Sequence, residues 1–379
     1  MLTLQGISKN IKEPIIGKLS FSPVEKEEIW QTIYVISESI QHELKGCIGL
    51  VVRNNEIEDA LRQHNLPLVY NVKNIDLLSD GDVIEILPNG LINVLYRINS
   101  DDNLIFVTSK CDCKCIMCPQ PIDYDEGDLT ELNLKLISSI STSTKELALT
   151  GGEPTIVGND LFRLILACKN LLPDTSLLLL TNGRKFSNFE YTHIFSSIGH
   201  PDITIGIALY GDNDIEHDFI VGSKGAFNDT VRGIINLASF SNPIEIRIVT
   251  HKFTYNRLLR ISDFIYRNMT FVKHIVFMGL ETIWRARENL KILWIEPEEL
   301  IPHLEEAIHY LIQRGMNVSI YNIPLCLLPE KFWIYARKSI TGWKNSFDLK
   351  CFECSVKEEC SGLFDSGVDI YRKYLKPIY

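Results

Sequence analysis

The chain has 379 residues, 45% of them hydrophobic and 23% charged. That composition supports a large packed core and excludes fibrous, collagen-like and wholly disordered proteins. Lys plus Arg number 38 against 48 Asp plus Glu, a formal net charge of −10, so the mean field repels phosphate and disfavours a general binder of nucleic acid or anionic membrane. The N-terminus lacks the basic and apolar regions of a signal peptide, and no apolar run reaches the roughly 18 residues of a membrane helix. The expectation is a cytoplasmic protein with neither nucleic acid nor membrane as partner.

In chain order, residues 1–100 mix helix-like and strand-like pieces. Residues 24–44 have helical spacing. Asp80-Gly81-Asp82 leads into VIEIL and Pro88-Asn89-Gly90 into LINVLYRI, which predicts a β-hairpin turning at Asn89-Gly90. No catalytic motif lies here, and a small, part β-rich accessory domain is expected over 1–100.

From 101 to 322 strands and helices alternate. Strands are predicted at 103–109, 146–150, 176–183, 203–211, 244–250, 274–280 and 318–324. Helices are predicted at 129–140 (capped by Asp128 or Thr130), 160–172, 228–238, 257–266 and 298–314. Alternating β and α units imply a parallel sheet in an open or closed α/β barrel, with ligands at the C-terminal ends of its strands. Cys111, Gly151, Asn182, Tyr210 and Glu281 each follow an apolar strand. From 323 to 379 the regular pattern fades and Cys, Gly and Trp dominate.

The ten cysteines are unevenly placed: four lie within 111–118 and three within 351–360, with Cys47, Cys168 and Cys326 apart. Tight clusters in a reducing compartment point to metal or redox chemistry. The first cluster reads Cys111-x3-Cys115-x2-Cys118. Structural zinc usually arrives as two pairs of ligands. Three thiolates on a cubane [4Fe-4S] cluster leave one iron open to a small chelating molecule. TGGEP at 150–154 adds two glycines that allow close backbone approach and a carboxylate, Glu153, that suits an ammonium group. His217 and Asp218 read either as acid–base residues or as loop caps. Arg247 reads as a carboxylate partner or a surface arginine, and Glu281 as a carboxylate facing a substrate.

The CxxxCxxC motif directly after a strand resembles the signature of radical S-adenosylmethionine (SAM) enzymes. That resemblance implies a partial (β/α)6 barrel in which Cys111, Cys115 and Cys118 hold a [4Fe-4S] cluster. SAM chelates the open iron and is cleaved to a 5′-deoxyadenosyl radical that abstracts a substrate hydrogen. By the same resemblance Gly151, Gly152 and Glu153 meet the SAM amino group, and Asn182 of the TNG turn shapes the pocket. Met117 stands where relatives often carry an aromatic beside the adenine, and Arg247 pairs with the SAM carboxylate. ALYG…HD…G…GAF resembles the SLYG pattern of members that act on peptides and heme-related substrates, with Ala208 in place of serine. His217 and Glu281 are its candidate catalytic residues.

Cys351-x2-Cys354-x5-Cys360 resembles the C-terminal auxiliary module called SPASM or, shortened, twitch. No cysteine follows Cys360, and Cys326 upstream makes a fourth ligand. One fully ligated auxiliary [4Fe-4S] cluster is expected, with zinc in the same thiolates as the alternative. Cys47, Cys113 and Cys168 remain as ordinary thiols.

Residues 80–379 further resemble the HxsC-type maturase of the His-Xaa-Ser peptide system, through the stretch leading into KCDCKCIMCPQP, through GLETIWRARENLKILWIEP and YNIPLCLLPEKFW, and through the ending CFECSVKEECSGLF…KPIY. The implied substrate is a ribosomally made precursor peptide, and the implied partners are a second radical SAM maturase and a flavodoxin- or ferredoxin-type reductant. Two other readings share the motifs: a radical SAM enzyme acting on a small molecule or cofactor precursor, and a non-enzymatic iron–sulfur carrier or scaffold, against which the GGE motif argues.

Overall fold

The computed structural model describes residues 2–22, 31–36, 47–53, 66–120, 127–342 and 344–379. The N-terminal part forms an eight-stranded mixed sheet: β1 Thr3–Gln5, β2 Ile7–Lys9, β3 Ile15–Ser20, β4 Thr32–Ile36, β5 Gly49–Val52, β6 Leu68–Tyr70, β7 Val83–Ile86 and β8 Leu91–Tyr96. Their spatial order is β1-β8-β7-β3-β4-β5-β6-β2. β3 to β6 run parallel and the flanking pairs antiparallel. The hairpin is β7–β8. Gly90 takes φ +82°, and a Cβ there would lie 2.3 Å from the Gly6 carbonyl oxygen, so turn and neighbouring strand together require glycine. The helical reading of 24–44 fails at its centre. Thr32–Ile36 is a strand, because a β-branched and aromatic run with buried neighbours on both sides outweighs the helical spacing. The flanks of that reading lie outside the described residues.

The second sheet contains β9 Leu104–Phe106, β10 Glu146–Thr150, β11 Ser176–Thr181, β12 Ile203–Ala208, β13 Ile244–Val249, β14 His274–Met278, β15 Val318–Tyr321 and β16 Ala336–Arg337. All pairings are parallel and each strand sits beside its predecessor. Among the described residues β9 and β16 do not pair, so the sheet is open. It carries the seven predicted strands and one more, the two-residue β16. The predicted helices appear at Thr130–Ser139, Asn159–Leu171, Ala226–Ser239, Leu258–Asn268 and Pro297–Ile312. Phe189–Ser197 and Asp214–Val221 are additional helices. Asp128 accepts from Thr130 N at 2.8 Å at the start of the first.

One-directional winding puts the helices on one face. Leu177, Leu179, Ile205, Ile207, Ile246, Ile248, Ile275, Phe277 and Ile320 share a core with Leu164, Ile165, Ile234, Leu237, Ile261, Ile265, Leu304 and Ile308 from those helices. The alternate strand positions Leu178, Leu180, Ala208, Arg247, Val249, Met278 and Tyr321 are only half-buried. Parallel sheets are ordinarily covered on both faces, so this second face is the place for a ligand.

The N-terminal sheet joins the main core through Val83 and Tyr96, whose hydroxyl meets Thr144 Oγ1 at 2.8 Å. The C-terminal segment has short 3-10 turns and a two-stranded ladder, β17 Asn345–Ser346 with β18 Leu363–Phe364. It docks at the C-terminal ends of β14 and β15: Thr282 Oγ1 donates to Ser366 O at 2.9 Å and Ser361 Oγ to Ile323 O at 3.0 Å. No helix of the described residues is long and apolar enough to cross a membrane.

Candidate functional site

The three-cysteine loop leaves β9 and is held from three sides. Val107 N donates to Thr150 O at 2.7 Å, Gly152 N to Thr108 O at 2.6 Å and Glu153 N to Lys110 O at 2.8 Å. A Cβ on Gly151 would stand 2.3 Å from Thr108 O, and one on Gly152 2.4 Å from both Ser109 O and Lys110 O. The glycine pair is thus required first by the chain's own crossing. On the second side Lys114 N donates to Val221 O at 2.8 Å and Ile116 N to Ile220 O at 3.0 Å. There Gly222, at φ +61°, passes so close that a Cβ would lie 2.7 Å from Lys114 O. On the third side Asn289 Nδ2 donates to Ile116 O at 2.8 Å.

Burial pushes the thiols of Cys115 and Cys118 up, and Cys115 is pushed further by the neighbouring Cys113 and Cys118. Cys113 is buried, 3.5 Å from Asn182 Nδ2 and 3.8 Å from Arg184 Nη1. Cys113 N donates to Cys111 Sγ at 3.4 Å.

The Glu153 carboxylate is bonded within the chain. It is buried, and Oε1 accepts from Thr155 N at 3.0 Å and from the hydroxyls of Thr155 and Thr181 at 2.6 Å each. Oε2 accepts from Asn182 N at 2.6 Å. Burial raises its pKa above the usual carboxylate range, against the pull of those bonds. It ties the end of β11 to the end of β10. Asn182 stands at the loop itself: its Nδ2 donates to Asp112 Oδ1 at 2.7 Å. Met117 turns inward, packed with Ile220, Leu280, Ala286 and Leu293.

Arg247 lies in register with Ala208 on the half-buried face. It is engaged: Nε pairs with Glu245 Oε1 at 2.9 Å, and the guanidinium sits 5.8 Å from the Tyr321 ring centre. Glu245 Oε2 meets His274 Nδ1 at 2.8 Å, and His274 Nε2 meets Ser319 Oγ at 2.9 Å. Glu281 pairs with Lys344 Nζ at 2.9 Å, linking β14's exit to the C-terminal segment.

His217 differs most from the acid–base reading. It is 2% exposed, stacks 6.0 Å from Tyr210, and its Nδ1 accepts from Tyr210 N at 3.1 Å. Burial lowers its pKa to about 4, so it is a neutral imidazole that shapes the ALYG turn. Asp218 accepts from Phe227 N at 2.8 Å and from Gly225 N, capping the next helix.

Two histidines with depressed folded-state pKa values, His217 at about 4 and His251 at about 3, make acid a destabilising condition. Between those values and the ordinary 6.5 the unfolded chain binds protons that the folded chain does not, so stability falls as pH drops below 6.5. His217 alone accounts for a loss on the order of 3 kcal/mol by pH 4. His217→Asn keeps an acceptor for Tyr210 N and removes the titration. Urea midpoints at pH 7, 6 and 5 should decline less steeply for the variant, and equal slopes would contradict this.

The second cysteine set is brought together as well. Cys326, Cys351, Cys354 and Cys360 line one cavity, with Pro324, Phe347, Lys350, Lys357 and Lys376. Leu325 N donates to Cys360 Sγ at 3.4 Å and Ile378 N to Cys354 Sγ at 3.5 Å. Burial raises the thiols of Cys326 and Cys351; Cys360, Cys351 and Cys354 add to it at Cys326, and Cys360, Asp348 and Cys354 at Cys351. Among the described residues no three His, Cys, Asp or Glu side chains are disposed to hold one metal ion.

Residues that the sequence reading passed over are Asp112, Arg184, Gly222 and Asn289. Asp112 between two cysteines and Arg184 directly after TNG were the available signals.

No family model matches the chain, and no curated protein matches it. Among solved structures it is similar to Streptococcus suis SuiB bound to precursor peptide SuiA, with 18% identity, 57% of this chain and 48% of that chain covered, and a TM-score of 0.47. It is also similar to anSMEcpe with bound AdoMet, with 17% identity, 57% and 62% covered, and a TM-score of 0.44. TYW1 with a lysine-pyruvate adduct bound matches at 16% identity, 54% and 70% covered, and a TM-score of 0.38. The chain spans about half the length of the SuiB chain it matches.

Proposed function

We propose that the protein is a radical SAM enzyme that modifies side chains of a ribosomally made precursor peptide of the His-Xaa-Ser type. The observation that carries this reading is the three-cysteine loop at the C-terminal end of β9, backed by Gly151-Gly152-Glu153. Cys111, Cys115 and Cys118 would hold a [4Fe-4S] cluster through three thiolates and leave one iron for SAM. When bound, the cluster and SAM supply one-electron cleavage to a 5′-deoxyadenosyl radical that takes a hydrogen atom from the substrate.

The chain's own residues bind and orient. Gly151 and Gly152 border the SAM site with backbone, Glu153 fixes that backbone and the β11 exit, and Asn182 holds the cysteine loop. Met117 supports the loop from beneath. Arg247, neutralised by Glu245, offers its remaining donors on the ligand-facing side of the sheet. Glu281, held by Lys344, sets the position of the C-terminal segment against the substrate side. His217 keeps the β12 exit in shape.

Cys326, Cys351, Cys354 and Cys360 would hold an auxiliary cluster. Four thiols lining one cavity supply the ligands that a [4Fe-4S] cluster needs, and zinc in the same thiolates is the alternative. The division into an accessory domain over 1–100, a partial barrel over 101–322 and a cluster segment over 323–379 belongs to the same proposal. So do a cytoplasmic setting, a second radical SAM maturase and a flavodoxin- or ferredoxin-type reductant.

The test is anaerobic reconstitution with iron and sulfide, then incubation with SAM, a reductant and the precursor peptide. The expected result is 5′-deoxyadenosine together with a changed peptide mass. SAM cleavage without any change in peptides would favour a small-molecule substrate, and absence of SAM cleavage would favour an iron–sulfur carrier.

A further inference from the structure

Arg184 reaches the cysteine loop from the end of β11. Its side chain is 17% exposed and pairs through Nη1 with Asp112 Oδ2 at 2.9 Å and through Nη2 with Asp229 Oδ2 at 3.0 Å. Nη1 also donates to Asp112 O at 3.3 Å and to Ser223 Oγ at 2.9 Å. Asp112 lies between Cys111 and Cys113, and its other oxygen takes the Asn182 Nδ2 bond at 2.7 Å. Asp229 belongs to helix Ala226–Ser239, and Ser223 follows the backbone that holds Lys114 and Ile116. One planar guanidinium therefore joins the loop to the strand end on one side and to two helical elements on the other, a geometry a flexible ammonium does not reproduce.

We propose that Arg184 is the positioning residue of the cysteine loop, clamping Asp112 so that Cys111, Cys115 and Cys118 are set for a cluster before iron arrives. The loop is otherwise fastened by backbone bonds at residues 107–110 and 114–116, and in the stretch from 111 to 113 between them the clamp acts beside the Asn182 Nδ2 bond to Asp112 Oδ1 and the Cys113 N bond to Cys111 Sγ. Without it the first cysteine is free to swing from the other two, and ligand preorganisation is lost. The inference rests on the three-cysteine loop being a cluster site, yet the clamp itself is testable without metal.

The experiment compares wild type, Arg184→Met, Arg184→Lys, Asp112→Asn and the Arg184→Met/Asp112→Asn double variant. In the metal-free chain, amide hydrogen exchange over 107–118 is expected to quicken about tenfold in each non-conservative single variant. Core amides of β10 to β13 should stay unchanged, which reports that the variants fold. The double variant should exchange no faster than Arg184→Met alone, because that variant already removes the Arg184–Asp112 pair. Arg184→Lys should recover part of the protection. After anaerobic reconstitution, the EPR signal of the reduced cluster on the three-cysteine loop should weaken in the same order. Unchanged loop exchange, or effects that add in the double variant, would overturn the clamp. A wild-type loop that takes no iron, with the exchange pattern intact, would instead overturn the cluster reading and leave the clamp standing.

Discussion

Replacing Cys111, Cys115 and Cys118 together with Ala should abolish 5′-deoxyadenosine formation, remove about half of the iron, and leave the iron at Cys326, Cys351, Cys354 and Cys360 in place. The two cysteine sets occupy separate places. One sits in the loop after β9, packed against helix Asp214–Val221 and the turn after β14. The other rings a cavity built wholly from the C-terminal segment and the end of β15. They share no thiol, so loss of one set leaves the other's ligands intact. The reciprocal variant, with Ser at Cys351 and Cys354, should lose the other half of the iron and keep a cluster that responds to SAM. Iron counting with EPR, beside chromatographic detection of 5′-deoxyadenosine, reads both. SAM cleavage that survives the Ala triple variant would refute the assignment. So would zinc, in place of iron, in anaerobically prepared wild type.

The strand and helix positions of the second sheet were legible because they depend on local pattern. The continuous apolar run in SLLLLT, the apolar alternation in IEIRIVT and the spacing of Leu161, Leu164, Ile165 and Cys168 are each set by neighbours in sequence. Helix ends fell within two residues of expectation where Asp128 or Pro297 marks the start. The grouping of Cys326 with Cys351, Cys354 and Cys360 came with the resemblance to the auxiliary module, and the four thiols line one cavity. What could not be read depends on contacts across the chain. Glu153 suits an ammonium group by type, yet Thr155, Thr181 and Asn182 take it up. His217 suits acid–base chemistry by type, yet burial holds it neutral. Arg184 follows a turn motif and carries no mark of its own; its role appears only when Asp112 and Asp229, 72 and 45 positions away, converge on it. The strand at Thr32–Ile36 was hidden for a similar reason, since its parallel partners β3 and β5 decide it.

Gly152→Ala should be strongly damaging for a change of a single methyl group. Gly152 differs from Gly90 or Gly222, where a positive φ already demands glycine. Its φ is not in the left-handed region, so its requirement is steric: an added Cβ would sit 2.4 Å from two carbonyl oxygens, those of Ser109 and Lys110. Both are backbone atoms, and neither can rotate away as a flexible side chain would. Relief must come from moving residues 109–110, which breaks the bonds from Gly152 N to Thr108 O and from Glu153 N to Lys110 O. A strained backbone and two lost buried bonds together cost on the order of 3 kcal/mol. The displacement falls on the root of the cysteine loop, so iron retention at Cys111, Cys115 and Cys118 should drop at least as sharply as stability. The C-terminal cavity lies on other elements and should keep its iron. Thermal unfolding beside site-resolved iron spectroscopy separates the two effects. A Gly152→Ala protein with unchanged melting and a full three-cysteine cluster would show that the loop does not lean on the glycine pair, and with it would fall the account of why that pair stands after β10.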